Sequence, residues 1–398
     1  MSKPDQELNE RILRLRGFLE IDADNVPLML DLGDLEHRAG HFSEAESLLQ
    51  RALELQPDNE KGYSRLGNLM ISQARFAEAE TIFRSLLERQ EISPEPVLQH
   101  NLGISLAYQD RWQEALDNFV AARKGGVGDS ENPLFQAYCL INLGKTQEVE
   151  GALIAALEGC EDDRVIGRSA LLQMEYLDFA ESVATAERAL AKNPDNIDAQ
   201  VVTSSWLMEQ QEVDQAAPQI ERILAREPDN TRALLNRALV HMYNTEIGAA
   251  ITTFETLLEL TPTVVGTWVA LGWAHIANND LNRAEETFKH ALAINRNFGE
   301  SHGGLATVYA LQGKLDASRE SSKRASGLSK QSFGAAYASS LVLEQRGKRD
   351  AAVRVLGSAF KKRPAPNAPT LIDAIARYSR RNAQRKGIPL PAPQPKSE

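Results

Sequence analysis

The chain has 398 residues, of which 42% are hydrophobic and 25% are charged, a composition typical of folded rather than disordered protein. Its formal net charge of −11 argues against a general nucleic-acid binder, because such proteins attract phosphate through a basic surface. Its two cysteines, Cys139 and Cys160, are too few for a disulfide framework or a cysteine-based metal centre.

The beginning of the chain gives no targeting signal. The N-terminal stretch is charged from Lys3 onward and lacks the apolar core of a secretory signal. No run of about 18 apolar residues occurs, so no membrane span is predicted. Together with the low cysteine count, these features predict a cytoplasmic protein.

A phrase of small and acidic residues ending in Pro-Asp-Asn recurs along the chain. It reads ALELQPDN at 52–59, ALAKNPDN at 189–196 and ILAREPDN at 223–230, and the last two copies begin 34 residues apart. A fixed period of this length is typical of a stack of one supersecondary unit. We therefore expect an array of repeats over most of the chain.

The unit at 26–59 shows what each repeat contains. Apolar residues fall at helical spacing in both of its halves. Gly40 separates the halves, and Pro57 ends the second helix because proline cannot extend it. Each unit is predicted to be a helix–turn–helix hairpin, in which the small residues Gly33 and Ala45 let the two helices approach closely.

This pattern resembles the tetratricopeptide repeat, which has a large residue at position 4 of the unit, Leu-Gly at positions 7 and 8, an aromatic residue at 11, Ala at 20 and 27, an aromatic residue at 24 and Pro at 32. The unit that begins at residue 265 matches it with Trp268, Leu271, Gly272, Ala284, Phe288 and Ala291. The resemblance implies an all-α, right-handed superhelical solenoid of about ten helix–turn–helix repeats. It also implies that ligands bind on the concave side.

The pattern divides the chain into six predicted segments. In order, these are an N-terminal capping helix (1–25), a block of three repeats (26–129), a degenerate repeat (130–162), a block of six repeats (163–366), a basic capping helix (367–386) and a disordered Pro-rich tail (387–398). Two extra residues at 93–96 and the degenerate repeat disturb the period. We interpret this interval either as a joint between the two blocks or as sequence drift without a mechanical consequence.

The C-terminal segment is basic, in contrast to the rest of the chain. Between Lys361 and Lys386, eight cations are balanced by Asp373 alone, a net charge of +7, whereas residues 1–360 carry −18. One interpretation is a helix that caps the last repeat. The other is a contact for an acidic partner or for the chain's own acidic groove.

The resemblance also implies where a ligand would bind. In proteins of this family, positions 2, 5, 9, 12 and 13 of the first helix face the groove. The predicted groove residues are Val201, Met208, Leu235, Leu239, Met242, Tyr243, Val269, Trp273 and Ile276. Other positions already supply the packing face, so apolar residues at 5, 9 and 12 have no packing role in this interpretation. Methionine and aromatic side chains suit an amphipathic helix or an extended peptide.

The sequence points to binding rather than chemistry. His241 and His275 occupy position 11, a packing position, and no nucleophile–base pair or metal-ligand cluster is visible. We therefore expect a non-enzymatic scaffold for protein partners, without catalytic residues, metal or cofactor. The resemblance points to a bacterial assembly or secretion system. The alternatives are a regulatory or targeting subunit of a separate enzyme and a self-assembling structural protein.

Overall fold

The computed structural model of the protein describes residues 3–89, 96–330 and 332–361. All regular structure within these residues is helical, in 21 helices. The predicted all-α array of repeated hairpins is therefore confirmed. The chain forms two compact units, Met1–Lys192 and Asn193–Glu398, which are described separately.

The helices of the first unit are α1 (Lys3–Ile21), α2 (Val26–Arg38), α3 (Phe42–Leu55), α4 (Glu60–Ser72), α5 (Phe76–Arg89), α6 (Pro96–Ala107), α7 (Trp112–Lys124), α8 (Glu131–Asn142), α9 (Thr146–Leu157), α10 (Asp163–Tyr176) and α11 (Phe179–Lys192). Those of the second unit are α12 (Ile197–Glu209), α13 (Val213–Arg226), α14 (Thr231–Tyr243), α15 (Ile247–Leu260), α16 (Val265–Ala277), α17 (Leu281–Ile294), α18 (Gly299–Leu311), α19 (Leu315–Leu328), α20 (Phe333–Gln345) and α21 (Arg349–Phe360).

From α2 onward the helices form hairpins, each with an even-numbered first helix and an odd-numbered second helix. Within each unit, a second helix packs on the first helix of the next hairpin, as α3 does on α4 and α17 on α18. Several first helices also contact one another directly, such as α2 with α4 and α18 with α20. This adjacency is the stacking that the period of the sequence predicts.

The recurring Pro-Asp-Asn phrase has a second role that the sequence did not reveal. Its asparagine caps the following first helix, because the side-chain oxygen accepts a hydrogen bond from a free backbone N–H of the first turn. Asn59 Oδ1 accepts from Gly62 N at 2.9 Å, and Asn230 Oδ1 accepts from Ala233 N at 3.0 Å. The phrase thus ends one hairpin and starts the next.

The turn inside each hairpin has a fixed backbone conformation. Position 15 of the unit is left-handed, with φ of 80° at Gly40 and 73° at Gly347. Repeats without glycine adopt the same conformation, with φ of 58° at Ala74 and 61° at Thr245. The turn is therefore imposed by the packing of the two helices, since L-amino acids, unlike glycine, disfavour the left-handed region of backbone conformation.

In three of the described hairpins, a phenyl ring of the second helix packs against a glycine of the first. Phe288 on α17 is fully buried, and a Cβ on Gly272 of α16 would lie 2.6 Å from its Cζ atom. No side chain fits at position 8 here, so Leu-Gly on the first helix and the aromatic residue on the second are complementary.

Helix α1 covers the beginning of the first hairpin. Its Ile12 is buried against Leu32 and Leu35 of α2. Glu36, fully buried at position 11, accepts a hydrogen bond from Arg16 Nε of α1 at 2.8 Å and lies 2.7 Å from His41 Nδ1. A buried carboxylate requires such partners, so Glu36 attaches α1 to the array.

Some of the predicted segments lie within the described residues and others lie outside them. The degenerate repeat is a complete hairpin, α8–α9, and whether it acts as a joint stays a prediction. Most of the two-residue insertion, the basic capping helix 367–386 and the tail 387–398 lie outside the described residues. In the described ranges, every helix is too short or too polar to cross a membrane.

Candidate functional site

All nine predicted groove residues lie on three first helices of the second unit. Helix α12 carries Val201 and Met208, whereas α14 and α16 carry the remaining seven: Leu235, Leu239, Met242, Tyr243, Val269, Trp273 and Ile276. Each of the nine residues therefore lies within a helix, on the first helix of its repeat as predicted.

Their exposure differs widely. Val201 and Val269 are buried, at 2% and 9% exposure, and so offer almost no surface to a ligand. Leu239 is the most exposed of the set, at 38%. The other six are half-buried, and a half-buried apolar side chain can both support the fold and contact a ligand.

Four of these residues have a packing role, contrary to the sequence interpretation. Leu235 and Met242 pack against the buried cluster around Phe254 that joins α14, α15 and α16. Trp273 and Ile276 pack against the cluster that contains Phe288. The expectation that positions 5, 9 and 12 have no packing role is wrong here, because the side chains at these positions pack on clusters that join their own hairpin to the next one.

Trp273 also belongs to an aromatic cluster that the sequence interpretation missed. Its ring centroid lies 6.0 Å from that of Phe333 and 6.4 Å from that of Tyr337, both on α20. Phe333 and Tyr337 stack at 5.9 Å, and Phe360 of α21 lies 5.9 Å from Phe333. All four rings are half-buried. We call Trp273, Phe333, Tyr337 and Phe360 the aromatic surface.

The aromatic surface depends on a close helix–helix approach. A Cβ on Gly334 of α20 would lie 2.5 Å from the carbonyl carbon of Gly303 on α18, so the two backbones are in direct contact. Thr307 Oγ1 of α18 donates to the Gly334 carbonyl oxygen at 3.2 Å. Because α20 lies so close to α18, Phe333 and Tyr337 of α20 reach Trp273 on α16, which belongs to the hairpin before that of α18. Positions 1 and 5 of the last repeat, Phe333 and Tyr337, were the available sequence signal.

The two histidines at position 11 lie on first helices and contact residues of their own hairpins. His275 is 4% exposed, and its burial lowers its pKa below the ordinary value, although the Asp280 carboxylate acts in the opposite direction. His241 Nδ1 lies 2.6 Å from Glu246 Oε2 and thereby links α14 to the start of α15. The interaction of His275 with Asp280 and the contact of His241 with Glu246 each lie within one hairpin.

Comparison with known proteins identifies the repeat. Tetratricopeptide repeat profiles match residues 37–91, 207–264 and 265–298. No curated protein sequence gives a significant match.

Solved structures resemble the chain at low identity. The human IFIT1 dimer with m7Gppp-AAAA has 17% identity and a TM-score of 0.48, covering 89% of this chain and 94% of its own. The APC/C hetero-tetramer Cut9–Hcn1 has 12% identity and a TM-score of 0.43, covering 81% and 76%. YrrB, a tetratricopeptide repeat protein described as having an unusual peptide-binding site, has 19% identity and a TM-score of 0.35, covering 46% and 95%.

Proposed function

The chain carries tetratricopeptide repeats, and we propose from this premise that it is a protein-interaction scaffold whose second unit binds an apolar peptide segment. The segment is an amphipathic helix or an extended strand, because both present apolar side chains at regular spacing along one edge. The proposed binding residues are the aromatic surface together with Leu239, Met242 and Tyr243 on α14.

The aromatic surface is the observation that carries this proposal. Each of its four half-buried rings has its centroid within 6.4 Å of the centroid of at least one other ring of the set. Trp273 belongs to one hairpin and the other three rings to another. Rings anchored on one side by the core are rigid, so a ligand that covers them gains apolar contact with little loss of conformational freedom. Tryptophan and tyrosine dominate the binding energy of many interfaces for this reason.

Leu239 adds an aliphatic side chain on α14 to the proposed binding residues. A large apolar side chain at 38% exposure on a first helix is available for contact without unfolding any packed element. Met242, which is half-buried and packs on the Phe254 cluster, can change rotamer to fit different ligands. The proposal therefore combines rigid rings with an adaptable aliphatic patch.

The test is a peptide selection against the purified full chain, followed by affinity measurements on variants. Tyr337→Ala removes a half-buried ring and Leu239→Glu changes an exposed side chain, and both leave the packed residues Trp273 and Met242 intact. We expect each to weaken the selected peptides about ten-fold or more, since interface anchors contribute at least about 1.4 kcal/mol.

Leu260→Glu is the matched control, because Leu260 is 45% exposed but lies at the end of a second helix, α15. It should leave the affinity unchanged. If Leu260→Glu weakens binding as much as the two surface variants, or if the surface variants bind normally while their helicity is intact, this location of the binding surface is wrong.

Charge separation favours a second candidate function, self-association. From residue 314 to the end there are 18 Lys and Arg against 6 Asp and Glu, and before it 26 against 49. The basic end of one copy is thus complementary to the acidic body of another. Light scattering should then show oligomers that dissociate as salt is raised, whereas a monomer at low salt would reject self-association.

A further inference from the structure

A basic pocket lies at the last interface between hairpins that the structure describes. It has a volume of about 390 Å³ and is lined by α19, α20 and the turn before α21. Its principal polar residues are Arg319, Lys323, Arg346, Lys348, Ser322 and Ser339. We call this site the basic pocket.

The equivalent place in other repeats holds an ion pair. At the interface of α17 with α18, Glu285 at position 21 lies 3.3 Å from Lys314 at position 16 of the next repeat. Gln312, at position 14, also hydrogen-bonds to Glu285. The first unit repeats this arrangement twice, with Glu46, Gln73 and Arg75 and with Glu80, Gln109 and Arg111.

The basic pocket inverts this arrangement. Position 21 is Arg319 in place of glutamate, and position 14 of the next repeat is Arg346 in place of glutamine. Position 16 keeps its cation, Lys348. The negative member of the ion pair is therefore absent. Four positive groups line the pocket, those of Arg319, Arg346, Lys348 and Lys323.

A second substitution places a small side chain where several other repeats have a large one. Position 24 is a fully buried phenylalanine in several repeats, Phe288 among them, but it is Ser322 here. Ser322 is 8% exposed, and its hydroxyl oxygen is buried without a hydrogen-bond partner. A buried hydroxyl without a partner lowers stability, so this position is not optimised for packing as the phenylalanine repeats are.

Nearby acidic groups neutralise the basic pocket only slightly. Asp316 Oδ1 lies 3.5 Å from a terminal nitrogen of Arg319, a long contact on an exposed carboxylate. Within the described ranges, no salt bridge involves Lys323, Arg346 or Lys348. Because these cations are exposed to water, their mutual repulsion is mild in the absence of a ligand, and an anion would be attracted to all of them.

We propose that the basic pocket binds a phosphoryl group. A phosphoryl group carries nearly two negative charges and three acceptor oxygens, so it matches two guanidinium groups and two ammonium groups better than one carboxylate does. The proposal uses no residue of the aromatic surface and does not depend on the proposed peptide binding.

The test is isothermal titration of the full chain at low ionic strength with three probes: inorganic phosphate, a phosphoserine peptide and the same peptide with glutamate. The double variant Arg319→Glu/Arg346→Gln restores the residues found at Glu285 and Gln312. Since the chain itself folds with that arrangement one interface earlier, the variant should melt at or above the temperature of the parent chain.

We expect saturable binding of a phosphate probe to the parent chain, weakened about ten-fold or more by the double variant, as charge-assisted hydrogen bonds are lost. Arg324→Gln removes a cation of α19 that does not line the basic pocket, and it should bind normally. Tighter binding of the phosphoserine peptide than of inorganic phosphate would identify a phosphorylated protein partner. Equal affinities for the two probes would identify a free phosphorylated ligand.

Three results would overturn the proposal. The first is that neither phosphate probe binds saturably. The second is that the glutamate peptide binds as tightly as the phosphoserine peptide. The third is that Arg319→Glu/Arg346→Gln and Arg324→Gln bind phosphate equally.

Discussion

Two consecutive interfaces of the second unit use the same positions of the repeat for opposite purposes. Between α17 and α18, a glutamate, a glutamine and a lysine form a polar contact next to a fully buried phenylalanine, Phe288. Between α19 and α20, the same four positions hold Arg319, Arg346, Lys348 and Ser322 and line a pocket.

The comparison separates what the backbone does from what the side chains do. Both interfaces have the same helix order and the same left-handed residue in the turn that leads to the cation, Gly313 and Gly347. The backbone therefore fixes where these side chains lie. Their identity decides whether the place is filled and neutral or open and positive, which is how a repeat array gains a site without changing its fold.

The largest expected effect comes from removing the ring that fills the first interface. Phe288→Ala should lower the free energy of unfolding by about 3–5 kcal/mol, since it empties a tightly packed site. Ser322→Ala, the equivalent change at the second interface, should be close to neutral because it removes an unpaired hydroxyl. Amide exchange in α17 and α19 measures both, and equal destabilisation by the two variants would contradict the comparison.

A smaller effect is expected at the close contact of α18 and α20. Gly334→Ala places a methyl group 2.5 Å from the Gly303 backbone, so the helices must separate, at a cost of about 1–3 kcal/mol. The separation should also loosen the aromatic surface. Gly357→Ala is the control, because a Cβ there meets no atom within 4 Å and the variant should melt slightly higher. Thermal melting compares them, and the prediction fails if both variants raise the melting temperature.

Exchanging the charges should change stability only modestly. Arg319→Glu creates the ion pair of the earlier interface and should stabilise by up to about 0.5 kcal/mol, since the groups are half-exposed and screened. Glu285→Arg, which copies the later interface, should destabilise by a similar amount. Denaturant titrations at low and high salt check the sign, and both differences should shrink at high salt. Effects of equal sign would show that charge at position 21 does not control these interfaces.

The smallest expected difference is in pH dependence. Burial holds the pKa of His275 below its ordinary value, so below about pH 6.5 the unfolded chain binds this proton more readily than the folded chain. The stability due to His275 is therefore present above that pH and is lost as the pH falls towards the lowered value. His275→Leu copies Leu343, the equivalent residue of α20, and should flatten the melting profile between pH 7 and pH 5 relative to the parent chain. Parallel profiles would rule out this contribution.

Much of the fold could be predicted from the sequence because the repeat is local. The helices, their hairpin pairing and the small residues at the crossings follow from spacing within one unit, as Gly272 and Phe288 illustrate. The candidate surface was predicted less well. The sequence placed Trp273 on a first helix, but its neighbours Phe333 and Tyr337 lie two repeats later and were missed.

The period and the helical class could be predicted from the amino-acid sequence, since these depend on hydrophobic spacing and turn residues near one another in the chain. Three features became visible only once the helices were packed: the burial of particular apolar residues, the contact of α18 with α20 at two glycines, and the pocket that Arg319 and Arg346 line. The physical reason is that these features depend on distances between hairpins. Such distances are set by the volume of the side chains that pack between helices, which the period does not encode.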